Sequence, residues 1–523
     1  MSEKTSPARP LSHARDITRP GFYVKLVLMA LVNAFGVYGI MAAYAQQQWV
    51  VLGFVALTLG IADWVYFSKR ALPSKYLFPG LVFLAVFQVY VMISTAQVAF
   101  TNYGDGHNDT KEHAVTQIMR AADARVPETA TFPVTVFEDA GEIGFAIVDE
   151  GLVKVGTAED PLKVDNRATQ VDGRVTEISS GDILALPDIQ KRQQEVLGLR
   201  VGLSDDPEQG WLRTDNGSMA YVAKSLLTYD EDADTFVNAE GKKFVGDEVR
   251  GSFVADDGST LTPGWRVYVG TSNFTRVFTD QSLTGPFWKI TGWNFVFAIL
   301  SVLTTFALGL FLAVIYNDPR VKGRVIYRAL FILPYAFPAF LAALVWRGML
   351  NPQFGFVNQT LLQGAGINWL GDGTLAKLSI LLVNLWLGFP YMFLVCTGAL
   401  QAIPGELTEA GVMDGASPWK QFWNITFPLL LVAVAPLLIA SFAFNFNNFS
   451  LIYMLTGGGP NFPGTPVLIG ETDILISMVY AIAFESGTKQ YGLASAMSVL
   501  IFVVVGLVSW AGFRQTRRLE EMV

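Results

Sequence analysis

Two strongly apolar stretches of the chain carry amide, hydroxyl and aromatic side chains at helical spacing. In IASFAFNFNNF, Ser441, Phe444, Asn445 and Asn448 fall on one stripe of a helix that turns by about 100° per residue, while Asn447 points elsewhere. In NLWLGFPY, Leu387, Gly388 and Tyr391 form a second stripe, with Gly388 leaving room beside the ring of Tyr391. An amide both donates and accepts hydrogen bonds, and an aromatic ring offers a flat apolar face. Together they suit an uncharged ligand with hydroxyls around apolar C–H faces, as a sugar has. Such residues also tie membrane helices together, for about 1 kcal/mol per bond, and that reading is preferred for Asn447. Asp63 and Arg347 sit toward helix ends and can snorkel, which argues against a proton relay through the membrane core.

Other chemistries find no support. His13, His107 and His113 make no metal-ligand spacing, and no G-x-S-x-G nucleophile motif occurs. Ser417 to Lys420 reads S-x-x-K without its companion motifs, so capping by Ser417 and a solvated Lys420 account for it. SGTKQYG has the wrong order for a G-x-x-x-x-G-K-[ST] phosphate loop. No catalytic residue, metal site or cofactor is assigned to this chain. Cys396 has no partner in the chain and reads as a small packed apolar residue.

The elements that position these residues follow from composition. Hydrophobic residues make up 51% of the chain and charged residues 16%, far from the roughly one-quarter charged content of soluble domains. Eight stretches are long enough to cross a bilayer as helices: Phe22 to Tyr44, Trp49 to Phe67, Tyr76 to Phe100, Trp293 to Tyr316, Ile326 to Leu350, Leu375 to Leu400, Phe427 to Leu455 and Tyr491 to Phe513. The N-terminal segment lacks the apolar core and cleavage site of a removable signal peptide. Positive charge gathers at Lys4, Arg9, Arg15, Arg19 and Lys25, at Lys69, Arg70 and Lys75, at Arg320, Lys322, Arg324 and Arg328, and at Arg514, Arg517 and Arg518. All of these share one side if both termini are cytoplasmic.

The expected fold is therefore a polytopic α-helical membrane protein with an inserted domain. Residues 1–100 hold the N-terminus and three helices, 101–283 a periplasmic domain, 284–513 a five-helix core and 514–523 a cytoplasmic tail. The insert is acidic and has no apolar run long enough to cross. TFPVTVFEDAGEIGFAIVDEGLVKVG and GWRVYVG read as antiparallel strands, so it is expected to be β-rich. The acidity needs no more than a solvated surface to explain it. Between the last two spans, Ile474 to Phe484 is apolar but too short to cross, and reads as an interfacial or re-entrant helix.

The loop at 401–427 carries AIPGELTEAGVMDGASPWKQFWNITFPLL. Glu409, Ala410 and Gly411 are followed at fixed intervals by Gly415, Ile425 and Pro428, and Asp414 precedes the glycine. This resembles the EAA-x3-G-x9-I-x-LP motif of ABC importer permeases, with Gly411 in place of the second alanine and Phe427 in place of leucine. Locally it predicts helix, turn and helix, with a turn at Gly415 to Ser417, Ser417 as N-cap and Pro418 at the first helical position. An exposed hairpin with small and apolar residues and a free Glu409 suits docking into a groove of another protein; the plainer alternative is an ordinary connector.

VAFTNYGDG, NFTRVFTD, YRALFILPYAFPAF, NLWLGFPYMFLVCTGALQAIP and IASFAFNFNNFSLIYMLTGGGP resemble the larger membrane subunits of maltose/maltodextrin ABC importers, across essentially the whole membrane region. The insert agrees in position and size more than in motifs. The resemblance implies a bacterial inner-membrane assembly with a second, MalG-like permease subunit, two MalK-like ATPase subunits that use ATP and Mg, and a periplasmic maltose-binding protein; the other expected contact is membrane lipid, with no nucleic acid. It carries ATPase coupling over to Glu409, Ala410, Gly411, Asp414 and Gly415. It carries sugar binding over to Tyr335, Leu387, Gly388, Tyr391, Ser441, Phe444, Asn445 and Asn448. Ala339 stands where the family has serine, which removes a hydroxyl and bears on affinity or preferred sugar. Two alternatives remain: an importer of another disaccharide such as trehalose, and a membrane-anchored periplasmic sensor, which leaves the five later helices and their polar stripe unexplained.

Overall fold

The computed structural model describes residues 20–68, 72–127, 129–206, 209–318, 320–465 and 467–520. Lys4, Arg9, His13, Arg15, Arg19, Lys69 and Arg70, and the side chains of Arg517 and Arg518, lie outside the described residues. Within them, seven helices are long and apolar enough to cross a membrane, or eight if a bent helix pair counts as one span.

The chain divides into two compact units at Thr95 and Ala96. The first contains α1 (Pro20–Ala45), α2 (Trp49–Phe67) and most of α3 (Leu72–Ala99). α1 and α2 cross closely at Gly36, where a Cβ would come within 2.8 Å of Leu59. Asp63 accepts a hydrogen bond from Asn33 at 2.9 Å. The carboxyl expected to snorkel is therefore tied to its neighbouring helix, the less costly arrangement for a polar group in a span.

The second unit begins with the insert. α4 (Lys111–Ala121) packs its Ala114 and Ile118 with Phe236, Phe253 and Trp265. Thr131–Asp139, Glu142–Asp149 and Leu152–Thr157 form consecutive antiparallel strands. Their two turns place Ala140 and Gly141, then Glu150 and Gly151, at positive φ, the backbone of tight hairpins that follow the strand twist. They belong to a nine-stranded sheet, beside a four-stranded sheet over 227–255 and a two-stranded hairpin. GWRVYVG, expected to be a strand, makes only an isolated bridge between Tyr268 and Thr101. It runs beside the incoming chain: Asn102 N donates to Val267 O at 3.1 Å, Val269 N to Phe100 O at 2.8 Å and Gly264 N to Gly106 O at 2.6 Å. The alternation is real, but its partner is a loop without a further ladder. α5 (Ser272–Thr279) closes the insert, its buried Asn273 donating to the carbonyls of Ala99 and Thr101 at 2.9 and 2.8 Å.

Among the later helices, α6 (Gln281–Asn317) leads into the bent pair α7 (Arg324–Ala336) and α8 (Ala339–Met349), which meet at 89°. The fifth span, expected over Ile326 to Leu350, is thus broken at Phe337 and Pro338; a proline disfavours helix in the residue before it and lacks a donor. α9 (Gly373–Ala402) runs alongside α6 in the same direction, as two contacts along their length show. Lys377, in the first turns of α9, sits over the ring of Trp293, a third of the way along α6, and Gln401 donates to Asn317 at 3.1 Å where both helices end. The pair is held by small residues: a Cβ on Gly309 would come within 2.6 Å of the Met392 side chain and 2.7 Å of backbone, and one on Gly388 within 2.8 Å of Thr305. Gly388 therefore admits a neighbouring helix rather than making room for the ring of Tyr391. Cys396 is buried here with Leu310, Phe393 and Leu430.

α10 (Gly405–Met413) and the turn after it lead into α11 (Pro418–Phe446). The seventh span, expected to reach Leu455, stops at Phe446 and resumes after Asn447 and Asn448 as α12 (Phe449–Leu455). The following loop returns to its own start, with Thr456 and Thr472 joined through their hydroxyls at 2.8 Å. In it Asp473 is buried, accepting from Gly470 N at 2.7 Å and Ser477 Oγ at 2.6 Å, and burial pushes its carboxyl up to about 6. α13 (Leu475–Glu485) is the expected short helix, too short to span. It is packed inside the unit through Leu475, Met478, Val479 and Ile482 rather than lying at a surface. α14 (Tyr491–Thr516) is the last span.

Candidate functional site

The two interrupted spans and the α6/α9 pair enclose a cavity of about 430 Å³. Tyr335 comes from α7, where the bend begins, and Ala339 from the first turn of α8; Leu387, Gly388 and Tyr391 come from α9, Ser441, Phe444 and Asn445 from α11, and Asn448 from the break after it. All eight residues singled out as a possible sugar site line this one space. They reach it differently from the single continuous stripe expected of the seventh span. Asn448 is the N-cap of α12, its side chain accepting from Leu451 N at 3.4 Å, so the break brings it to the cavity. Asn447 is exposed and donates back to Ala443 O at 3.2 Å in its own helix, so it is not the interhelical tie expected of it.

That tie is made by a residue which the stripe reading missed. Asn384 of α9 is buried, donates to Asn445 Oδ1 at 3.0 Å and accepts from Asn448 Nδ2 at 3.5 Å. It lies one turn before Gly388 on the same face, and that spacing was the available signal. Asn445 also donates to Ser441 O at 2.8 Å. Among the described residues, the hydroxyls of Tyr335, Tyr391 and Ser441 have no hydrogen-bond partner and stand open to a ligand. Phe444 and Tyr335 are 68% and 57% exposed, leaving ring faces available for stacking. Among the described residues, no Asp, Glu, Lys, Arg or His lines the cavity. Its walls can hydrogen-bond and stack, and they offer no formal charge.

A second candidate lies at the other end of the spans from the insert. α6 enters directly after the insert, and both it and α9 run away from it, so the 401–427 loop is at the far end. α10 ends at Asp414, and Gly415 turns the chain at φ +73°. Ser417 Oγ then accepts from Lys420 N at 3.4 Å, with Pro418 in the first turn of the next helix. The motif positions explain one another: a Cβ on Gly411 would come within 3.0 Å of Ile425, so a small residue lets the hairpin close. Glu409, Ala410 and Asp414 are exposed, and Glu409 makes no ion pair among the described residues. Met413 and Trp419, 86% and 71% exposed, give the tip an apolar surface. No cluster of three His, Cys, Asp or Glu that could hold a metal occurs among the described residues.

Multiple spans, a neutral midspan cavity and an exposed hairpin at one end define a membrane permease subunit. Residues 305–519 match the model of the binding-protein-dependent transport system inner membrane component, and residues 82–159 that of the N-terminal of TM subunit in PBP-dependent ABC transporters. The chain is 34% identical to the maltose/maltodextrin transport system permease protein MalF of Vibrio vulnificus (strain YJ016) over 98% of its length and 97% of that protein's. It is 35% identical to the protein of that name from Klebsiella aerogenes, covering 92% and 94% of the two chains. A chain in the crystal structure of a bacterial ABC transporter for the acidic polysaccharide alginate is more distant, at 22% identity and TM-score 0.42, with 48% of this chain and 84% of that one covered. This chain belongs to the MalF family of binding-protein-dependent ABC importer permeases.

Proposed function

We propose that this chain is a permease subunit of a maltose/maltodextrin importer and that the cavity beside α9 and the broken seventh span holds the sugar during passage. The cavity carries the reading: unpaired tyrosine and serine hydroxyls and exposed rings, without a charged side chain, suit a neutral sugar. The maltose/maltodextrin permeases that the chain resembles supply the sugar class. Tyr335, Leu387, Gly388, Tyr391, Ser441, Phe444, Asn445 and Asn448 are its contacts. A second permease subunit completes the path, two ATPase subunits bind ATP and Mg, and a periplasmic maltose-binding protein delivers the sugar to the side on which the insert lies. Both termini and the 401–427 hairpin then face the cytoplasm, where Glu409, Ala410, Gly411, Asp414 and Gly415 meet the ATPase.

The test is uptake of labelled maltose by vesicles containing the reconstituted complex, with unlabelled maltotriose, trehalose and sucrose as competitors. Maltose and maltotriose are expected to compete and the other two to fail. Competition by trehalose alone would assign the cavity to another disaccharide, and uptake without ATP would remove the importer reading.

A further inference from the structure

Two consecutive residues of α6 stand behind the break in the seventh span. Trp293 donates through its indole N–H to Thr472 O at 3.3 Å. Asn294, fully buried, donates through Nδ2 to Phe446 O at 3.0 Å and accepts through Oδ1 from Leu475 N at 2.8 Å. Both partners are backbone groups that the chain path orphans. Phe446 is the last residue of α11, so its carbonyl has no following turn to pair with, and Leu475 is the first of α13, so its N–H has no preceding one. One amide satisfies both. Trp293, Leu451, Ile452, Leu455 and Ile474 belong to one buried cluster, with Ile476 packed against it, so α12 is packed against α6 and the start of α13.

We infer that Asn294 is a positioning residue for the translocation cavity: it pins the end of α11 to the start of α13 and so holds open the break that presents Asn445 and Asn448. Asn294 does not line the cavity, and its effect runs through the break. The inference rests on reading that cavity as the sugar site.

The experiment measures KM and maximal rate of maltose uptake by the reconstituted complex, at matched amounts of complex, for Asn294→Leu, Asn294→Asp, Asn448→Ala and the double variant Asn294→Leu/Asn448→Ala. Asn294→Leu is expected to raise KM several-fold, and the double variant to go little beyond the larger single effect, because residues that act as a unit are not additive. Asn294→Asp keeps the acceptor for Leu475 N and supplies a donor to Phe446 O only when protonated. Its KM is therefore expected to fall toward the wild-type value as pH is lowered, a profile absent from Asn294→Leu. Should Asn294→Leu fail to assemble, that pH profile still decides. Unchanged KM in both Asn294 variants, or a double variant whose effect is the product of the singles, would overturn the inference while leaving the cavity reading intact. If Asn448→Ala, Asn445→Ala and Tyr391→Phe all keep the wild-type KM, the cavity reading fails and the inference falls with it.

Discussion

The α6/α9 pair and the two spans facing it solve opposite problems in the same core. α6 and α9 are continuous for 37 and 30 residues and approach closely through Gly309 and Gly388. The fifth and seventh spans are interrupted, one by an 89° bend and the other at Asn447 and Asn448. Irregular backbone at membrane depth is tolerated where protein or a polar cavity satisfies it, and discontinuous helices are a recurring way to build solute sites in membrane proteins. The continuous pair acts as a frame, and the interrupted spans bring polar groups to a space inside it.

Disturbing the frame is expected to have the largest effect. Gly309→Leu puts a branched side chain where even a Cβ meets Met392 at 2.6 Å and Phe393 N at 2.7 Å. Overpacking of this kind costs about 1–3 kcal/mol or more, and contact with backbone leaves little to yield. The yield of assembled complex, read by size-exclusion chromatography, should collapse. A normal yield would mean that the two helices separate freely and are no frame.

The hairpin at the far end comes next. Gly415 has open space around its missing Cβ but a φ of +73°, so its requirement is conformational. Gly415→Val should cut sugar-stimulated ATPase activity about tenfold or more, while Gly415→Asn, which tolerates this backbone, should retain most of it. Equal loss in both would show that a flat docking surface, rather than the turn, is what the position provides. Membrane insertion is the control in each case.

Within the cavity the effects should be smaller and should separate neighbours. A lost hydrogen bond is worth about 1 kcal/mol, so Asn445→Ala and Tyr391→Phe should each raise KM several-fold. Asn447→Ala, whose amide returns to Ala443, should leave uptake within about twofold. The opposite order would turn the cavity inside out.

Asp473 tests the loop behind the break. Its folded pKa of about 6 lies above the ordinary 3.8, so its favourable contribution is complete below about 3.8 and lost as pH rises through about 6. A shift of that size corresponds to at most about 3 kcal/mol. The melting temperature of the detergent-solubilised complex should therefore fall by a few degrees more between pH 5 and pH 8 in the wild type than in Asp473→Asn. Parallel curves would show that the carboxyl is already paired or solvated. The mildest change is Ala339→Ser, which adds a hydroxyl to the cavity wall and should alter the maltose KM by no more than a few-fold.

Much of this arrangement was legible in the sequence, because apolar length and residue type are local properties. The helical hairpin after Pro404, its cap at Ser417 and the turn at Gly415 follow from neighbours a few residues apart. Seven of the eight cavity residues lie on the two stripes that helical spacing gives, whereas Tyr335 and the joining of both stripes into one site rest on likeness to a family. The breaks were hidden for a physical reason. Asn447 and Asn448 sit in an unbroken apolar and aromatic run, and only tertiary partners such as Asn384 and Asn294 satisfy the freed backbone and side-chain groups. GWRVYVG misled in the opposite sense, since its alternation matches a strand but the facing chain at 100–109 offers no ladder.

The same facing chain makes the insert a module with two adjacent ends. Asn102 fastens the incoming segment to the outgoing one through Trp265 O and both the N–H and the carbonyl of Val267, and Tyr268 bridges Thr101. A domain tethered at one point adds little strain to the chain that carries it, because the loop it interrupts is already closed. In architectural terms the insert is a cassette: its entry near Thr101 and its exit near Tyr268 meet, so the length of chain between them does not set the distance between the flanking helices.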